Sequence, residues 1–436
     1  MAEHRDARKE EDRAELLALL EQGLALDGND PDCLDYKAWL LKRGNRSEEA
    51  LELYHRLEKM PRRNLNVEQE LAELYYRSLT RNADRALHYY QLLLDNNETP
   101  DYHFYAGTCR RYLKDWAGAE YHFRREQELA ADDVDGYNGL GLVYEGMKRY
   151  EEALAQTDRA IELVKDREGD QSRFYFRKVQ VLRRLGRVRE AMETVDELVR
   201  KYGYEQAGQL KFDICCQFGL WKQAEEQLTL WRKSGRLKAR LAAAEIKLDL
   251  YTDRLDSAKT KLRRAVKTLN KQDLENLQLQ IAELEGDLQS QVAVWKKRLK
   301  NTDNTHALMN LAQAYCWDGN IPESRKYAQW AAETLEEQLK LYLKDEALYR
   351  GRYAMVLALL GRMEQAQSEL AAVRAMALCE GCDYGSCKDA DIFESYMEEV
   401  CGNYEKAALL HRAGLKKWPD DLDFAAGAAR MKRKGF

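Results

Sequence analysis

At 436 residues the chain is long enough to bury a large core and to form several domains. Apolar residues make up 45% and charged residues 33%, with only 5 prolines, a balance too apolar for disorder and too poor in breakers for a β-sandwich or barrel, so helices are expected. Basic side chains number 70 against 75 acidic ones, a formal charge of −5, so no whole-protein field points to nucleic acid as a partner.

In chain order, Met1–Arg13 is charged and has no apolar core of the kind a secretory signal needs. Asp6 to Leu26 reads as an amphipathic helix with Leu16, Leu17, Leu20 and Leu24 on one side, which makes residues 1–30 an N-terminal capping helix. Over residues 31–419 a unit of about 34 residues recurs. It is plainest at Tyr137-Asn138-Gly139-Leu140-Gly141-Leu142-Val143-Tyr144, followed by Tyr150-Glu151-Glu152-Ala153, Thr157 and Ala160. Large residues at these spacings fill the space between two helices, and Gly141 and Ala153 let the backbones approach. Gly107, Trp116, Ala119 and Phe123 hold the same slots one unit earlier, and Gly186/Ala191, Gly219/Ala224 and Gly319/Ser324 each place a turn glycine five residues before a small residue. With that small residue as a marker, Ala50, Ala86, Ala119, Ala153, Ala191, Ala224, Ala258, Gln291, Ser324, Ala366 and Ala407 mark eleven units, with insertions after Ala153, Ser324 and Ala366. Gln291 is out of keeping with the rest. Pro31, Pro61, Pro100 and Pro419 fall at junctions, while Pro322 opens a second helix, where its missing N–H costs nothing. The longest apolar stretch, Tyr353–Leu360, is far short of the roughly 20 residues a membrane helix needs. Leu422–Lys432 supplies a C-terminal capping helix within residues 420–436.

This pattern resembles the tetratricopeptide repeat, a helix-turn-helix unit of about 34 residues, over nearly the whole chain. The resemblance implies an all-α fold, a right-handed α-solenoid whose inner wall is lined by first helices and binds peptides or partner domains. Inner-wall positions in this phase are Asp32, Asp35 and Trp39, then Glu68, Leu71 and Tyr75, then Asp101, Phe104 and Thr108, then Asp135, Asn138 and Leu142. Acids and aromatics alternate there, which suits a basic segment with apolar side chains between its charges. The wall turns basic at Arg173, Phe176, Gln180 and Arg183, then Arg240 and Lys247, and apolar near His306, Met309, Met355 and Ile392. The expected groove set is Asp35, Trp39, Glu68, Tyr75, Asp101, Phe104, Asn138, Arg173, Phe176 and Arg183. The family's carboxylate clamp for chaperone tails needs Lys/Asn and Lys/Arg pairs on successive inner faces, and the N-terminal units carry acids there instead.

No His-Glu-x-x-His, Gly-x-Ser-x-Gly or phosphate-loop motif occurs, and the seven histidines are spread one per unit or fewer, read as surface or groove residues. No enzyme is expected. Nine cysteines in a long chain fit a reducing cytoplasm better than a disulfide framework. Cys379, Cys382 and Cys387 lie within nine residues on one Gly-containing insertion, which poses two readings: a zinc or thiol-redox site, or reduced cysteines packing a loop, the latter favoured because a structural zinc needs four ligands. Cys401, at the far end of the next helix, is roughly 20 Å away at 1.5 Å per residue. Similar cysteine-bearing loops resemble those of repeat proteins from anaerobic bacteria, some of them like co-chaperones. Cys215 is expected to face the core and Cys216 the groove. The leading expectation is a cytoplasmic, bacterial, non-enzymatic scaffold for a protein or peptide; the competing ones are a peptide-sensing regulator, a co-chaperone-like adaptor, or a metal- or redox-responsive adaptor using the cysteine loop.

Overall fold

The computed structural model describes residues 10–60, 66–167, 169, 171–203, 207–235, 237–299, 304–341, 346–375 and 388–436. Among these residues all regular secondary structure is helical. The chain divides into two compact units, residues 1–181 and 182–436. The first holds α1 (Glu10–Leu26), α2 (Pro31–Arg43), α3 (Ser47–Glu58), α4 (Val67–Arg77), α5 (Leu79–Asn96), α6 (Pro100–Tyr112), α7 (Trp116–Leu129), α8 (Val134–Gly146), α9 (Tyr150–Val164) and most of α10 (Ser172–Arg184). The second holds α11 (Val188–Tyr202), α12 (Ala207–Gln217), α13 (Trp221–Ser234), α14 (Lys238–Tyr251), α15 (Leu255–Ala265), α16 (Lys271–Glu285), α17 (Leu288–Leu299), α18 (Thr305–Trp317), α19 (Ile321–Leu341), α20 (Glu346–Leu359), α21 (Met363–Ala375), α22 (Lys388–Val400), α23 (Tyr404–Lys417) and α24 (Leu422–Arg433). Within each unit the helices stack as an α-solenoid.

First helices start where a short polar side chain can take the orphan N–H groups. Asp30 accepts from Asp32 and Cys33 ahead of Pro31, Thr99 accepts from Tyr102 ahead of Pro100, and Asp133 caps α8. They end in one repeated device. A left-handed residue follows the helix at Asn45, Lys114, Lys148, Gly186, Gly219, Asp253, Gly286, Gly319, Gly361 and Gly402. One residue later an amide reaches back to a carbonyl in the helix's last turn, as Arg149 does to Tyr144 at 2.8 Å and Arg362 to Leu357 at 2.9 Å. Five residues after each left-handed position stands a marker residue, and every marker from Ala50 to Ala407 is buried, at most 3% exposed. Gln291 keeps its slot despite its size by donating from Nε2 to the Ala282 carbonyl at 3.0 Å.

The exception is α4–α5. These helices are joined through Ser78 alone, and Asn82 inside α5 is non-helical, at φ −131°. An inner-wall register counted back from Ala86 across an ordinary turn therefore slips on α4. A second correction concerns the close-packing glycine of α8. A Cβ at Gly141 would meet nothing nearer than Thr157 Oγ1 at 3.5 Å, whereas one at Gly139 would lie inside the ring of Phe123, itself 1% exposed.

Unit 2 departs from simple stacking at its end. Besides packing on α23, its chain neighbour, α24 rests on α22 and reaches α16 and α14. Arg433 donates to the Leu284 carbonyl at 2.7 Å, joining residues 149 apart.

Candidate functional site

In unit 1 the first helices are laced by Lys42, 7% exposed, which reaches from α2 to Glu70 Oε2 at 2.6 Å and Glu73 Oε2 at 2.5 Å on α4. On α2, half-buried Asp35 precedes Trp39, whose ring stacks on Tyr36 at 5.6 Å beneath the Arg43 guanidinium at 4.7 Å. The register slip shows on α4. Leu71 and Tyr75 are core residues, 0% and 4% exposed, not wall residues; the Tyr75 hydroxyl is 2.6 Å from His55 Nε2 of α3 and its ring stacks on Tyr89 of α5. Tyr76 instead reaches the next first helix, edge-on to Tyr105 at 5.0 Å. Glu68 is half-buried at the start of α4.

Asp101 is exposed at the start of α6, and Phe104, one turn on, is half-buried and edge-on to Phe123 at 6.1 Å. Half-buried Asn138 follows Asp135 on α8. Burial, then Asp133, raises the Asp135 carboxyl above the usual carboxylate range, with Asp101 adding to the rise. Deeper in, Glu126 is 2% exposed and pushed up to about 8 by burial and by Asp133, Asp135 and Asp101, so it stays protonated at neutral pH. Arg173 on α10 brings a cation 3.9 Å from Asp135, with half-buried Phe176 on the same helix. Arg183 belongs to unit 2, where its Nε donates to Gln217 Oε1 at 2.6 Å. Asp101, Phe104, Asp135 and Arg173 thus gather, while Tyr75 and Arg183 fall away. His103 and His122 are also buried rather than in a groove, paired through Nδ1 atoms 2.9 Å apart, and burial followed by the His103 charge lowers His122 to about 4.

In unit 2 the inner wall is covered by α24 and the residues before it. Cys216 is 2% exposed, not groove-lining: Pro419 packs beside Gly219, and the Asp420 carboxylate lies close enough to raise the Cys216 thiol further after burial. Met309, Met355 and Ile392, expected on an apolar wall, are core residues at 6%, 0% and 7% exposure. The anchor of α24 is Arg430, 8% exposed, whose Nε and Nη2 donate to Glu399 at 3.0 and 2.9 Å while its guanidinium lies 3.9 Å over Trp317. His411 completes the set, 2.6 Å from Glu399. Burial alone would raise the Glu399 carboxyl; Arg430 and His411 hold it below its ordinary value. Beneath this roof two adjoining cavities of about 260 and about 140 Å³ share Glu283, Trp295, His306, Asn310 and Asp423. Sequence reasoning missed this chamber because its walls come from helices far apart in the chain.

Cys379, Cys382 and Cys387 lie outside the described residues. Among the described residues no group of three His, Cys, Asp or Glu side chains could hold a metal ion, and no helix is long and apolar enough to cross a membrane.

The model of the tetratricopeptide repeat matches residues 134–165, the α8–α9 pair. No curated protein matches the chain. Solved structures that resemble it include a tetratricopeptide repeat protein from Parabacteroides merdae, 15% identical over 56% of this chain and 95% of that one at a TM-score of 0.41. YrrB, a repeat protein with an unusual peptide-binding site, is 16% identical over 43% and 94% at 0.35. Human IFIT1, solved as a dimer with m7Gppp-AAAA, is 12% identical over 94% and 95% at 0.37. At such identities these are likenesses of fold.

Proposed function

We propose that this chain, a tetratricopeptide-repeat protein, is a non-enzymatic scaffold that binds a basic, partly apolar protein or peptide segment on the first-helix wall of unit 1. The observation that carries the reading is the setting of Phe104. A half-buried aromatic on α6 stands beside Asp101, whose charge adds to burial and Asp133 in raising the Asp135 carboxyl. Lys or Arg side chains would relieve that repulsion, and an apolar side chain between them would cover the ring.

The test is fluorescence anisotropy of the full-length protein against peptides alternating Lys/Arg with Leu/Phe, their Glu-substituted counterparts and scrambled controls. Basic peptides should bind, and Phe104→Ala should weaken them about 30-fold, on the order of 2 kcal/mol. Asp101→Asn should mainly slow association and flatten the salt dependence. Equal binding of basic and acidic peptides, or a Phe104→Ala variant of unchanged affinity, would remove this wall as the site.

A further inference from the structure

The chamber inside unit 2 contains polar groups that the fold leaves without partners. Glu283 from α16 and Asp423 from α24 both line it, and among the described residues neither side-chain carboxylate accepts a hydrogen bond. Gln313 of α18, 2% exposed, also lines it, with its Nε2 unpaired; the Trp317 Nε1 beside it is unpaired as well. Unpaired donors and unpaired carboxylates therefore line one cavity: the two donors are buried, where a missing hydrogen bond is costly, while Glu283 is half-buried and Asp423 is exposed at the cavity's edge. The same chamber already shows how it receives a cation, since Arg430 is taken up between Glu399 and the faces of Trp317 and Tyr396.

We propose that unit 2 binds, beneath α24, the amino-acyl end of a ligand: a protonated amine at Glu283 and Asp423, with its neighbouring carbonyl or carboxylate oxygen accepting from Gln313 Nε2 and Trp317 Nε1. Lys247, Arg298 and Arg352 line the cavities as well, so charge alone does not select the ligand. A bare cation would leave the two donors unpaired and a bare anion would leave the repulsion between Glu283 and Asp423 unrelieved, whereas an ammonium next to a carbonyl answers both. The space is adequate, because a cavity of about 150 Å³ accommodates benzene, and the larger chamber, at about 260 Å³, can take the side chain. The electrostatics agree. Burial and the Asp423 charge push Glu283 up to about 8, with Arg430 and Arg298 pulling the other way, and Asp423 is raised by desolvation from the protein packed around it and by Asp421. A bound ammonium relieves this carboxylate repulsion. Because its two carboxylate partners sit on α16 and α24, the ligand ties the roof helix to the wall. This site is independent of the unit 1 wall.

A free α-amino acid and the N-terminus of a polypeptide present the same chemistry, and calorimetry on the full-length protein separates them. The probes are the common amino acids, short peptides varied at their first residue, the same peptides N-acetylated, and putrescine. A free-amine probe should bind and slow hydrogen exchange over residues 422–433, while its acetylated form and putrescine bind at least tenfold more weakly. Binding of amino acids assigns a metabolite site, and binding of peptides alone assigns a polypeptide terminus. Glu283→Gln, Asp423→Asn and Gln313→Leu should each weaken the ligand tenfold or more without lowering the ligand-free melting temperature. Failure of every free-amine probe at millimolar concentration, or equal binding of acetylated or diamine probes, would overturn the proposal, and both readouts use the unmutated protein.

Discussion

Unit 1 and unit 2 use the same helical hairpin to different ends. Among the described residues of unit 1, substantial contacts join only helices adjacent or next-but-one in the chain, as α6 meets α7 and α8. Unit 2 repeats this pattern and then closes on itself, with α24 reaching α14 and α16 and Arg433 bonding a carbonyl 149 residues away. A stack of neighbours has a stability that is nearly a sum of local terms, and its wall stays available; a stack closed by its last helix ties distant repeats into one cooperative body and turns wall into chamber. The turns are alike in both, so the difference comes from a few side chains. Lys42 and the tyrosines of α4–α6 link successive first helices in unit 1, whereas Arg430, Glu399, His411 and Trp317 bind the end of unit 2.

The largest expected effect tests that closure. Arg430→Ala would leave Glu399 buried with its guanidinium partner gone, a loss of about 3–5 kcal/mol for a buried pair broken on one side. Hydrogen exchange should accelerate over α24, α22 and the end of α16 while α2–α8 keep their protection. If protection falls equally in unit 1, the units are not separate in stability and the comparison fails.

A second test keeps to unit 1 and to pH. Glu126 holds its proton in the folded state up to about 8, while the unfolded chain loses it near 4.5. Between those values the native state binds more protons, so wild-type stability falls as pH rises through that window and levels off above it. Glu126→Gln keeps an acceptor for the Gly136 amide and does not titrate. Its advantage over wild type should be small at pH 5 and grow to as much as ~4 kcal/mol by pH 8, at about 1.36 kcal/mol per pH unit. Urea melts at pH 5, 7 and 9 followed by exchange in α7 and α8 would show it; a constant difference across pH would mean that Glu126 is ionised in the fold.

Much of this architecture could be read in the sequence because the repeat is local. Gly186/Ala191 and Gly319/Ser324 sit in one turn, so their spacing reports the left-handed residue and the buried marker directly. The inner-wall register on α4 was misplaced because the join at Ser78 and the kink at Asn82 break the rule that sets the count. The unit 2 chamber was beyond reach for a different reason. Leu422–Lys432 carries the apolar spacing of a cap, and nothing within a helix's length states that Asp423 and Arg430 will face α16, α18 and α22. The buried histidines show the same limit. His103 and His122 are 19 residues apart, and only the packing of α6 on α7 brings their rings together.

The smallest expected effect sharpens the local side of the comparison, because it lies on one helix face. Gly141→Ala adds a methyl group where the nearest atom is 3.5 Å off and removes the flexibility of a helical glycine, a gain of roughly 0.5–1 kcal/mol. Two residues earlier the same change has the opposite sign. A methyl group at Gly139 overlaps the Phe123 ring, which has little room to withdraw, since its Cε1 and Cζ atoms also lie 3.1 Å from where a Gly107 Cβ would be. Gly139→Ala should therefore cost about 1–3 kcal/mol. The loss should appear as faster exchange in α6, α7 and α8 with unit 2 unchanged, as expected where contacts run only between near neighbours. Combining Gly139→Ala with Phe123→Leu should recover part of the loss, because the shorter side chain vacates the space that the methyl group needs. If the two glycine variants melt alike, the ring is not seated between α6 and α8, and the packing that presents Phe104 beside Asp101 would have to be redrawn.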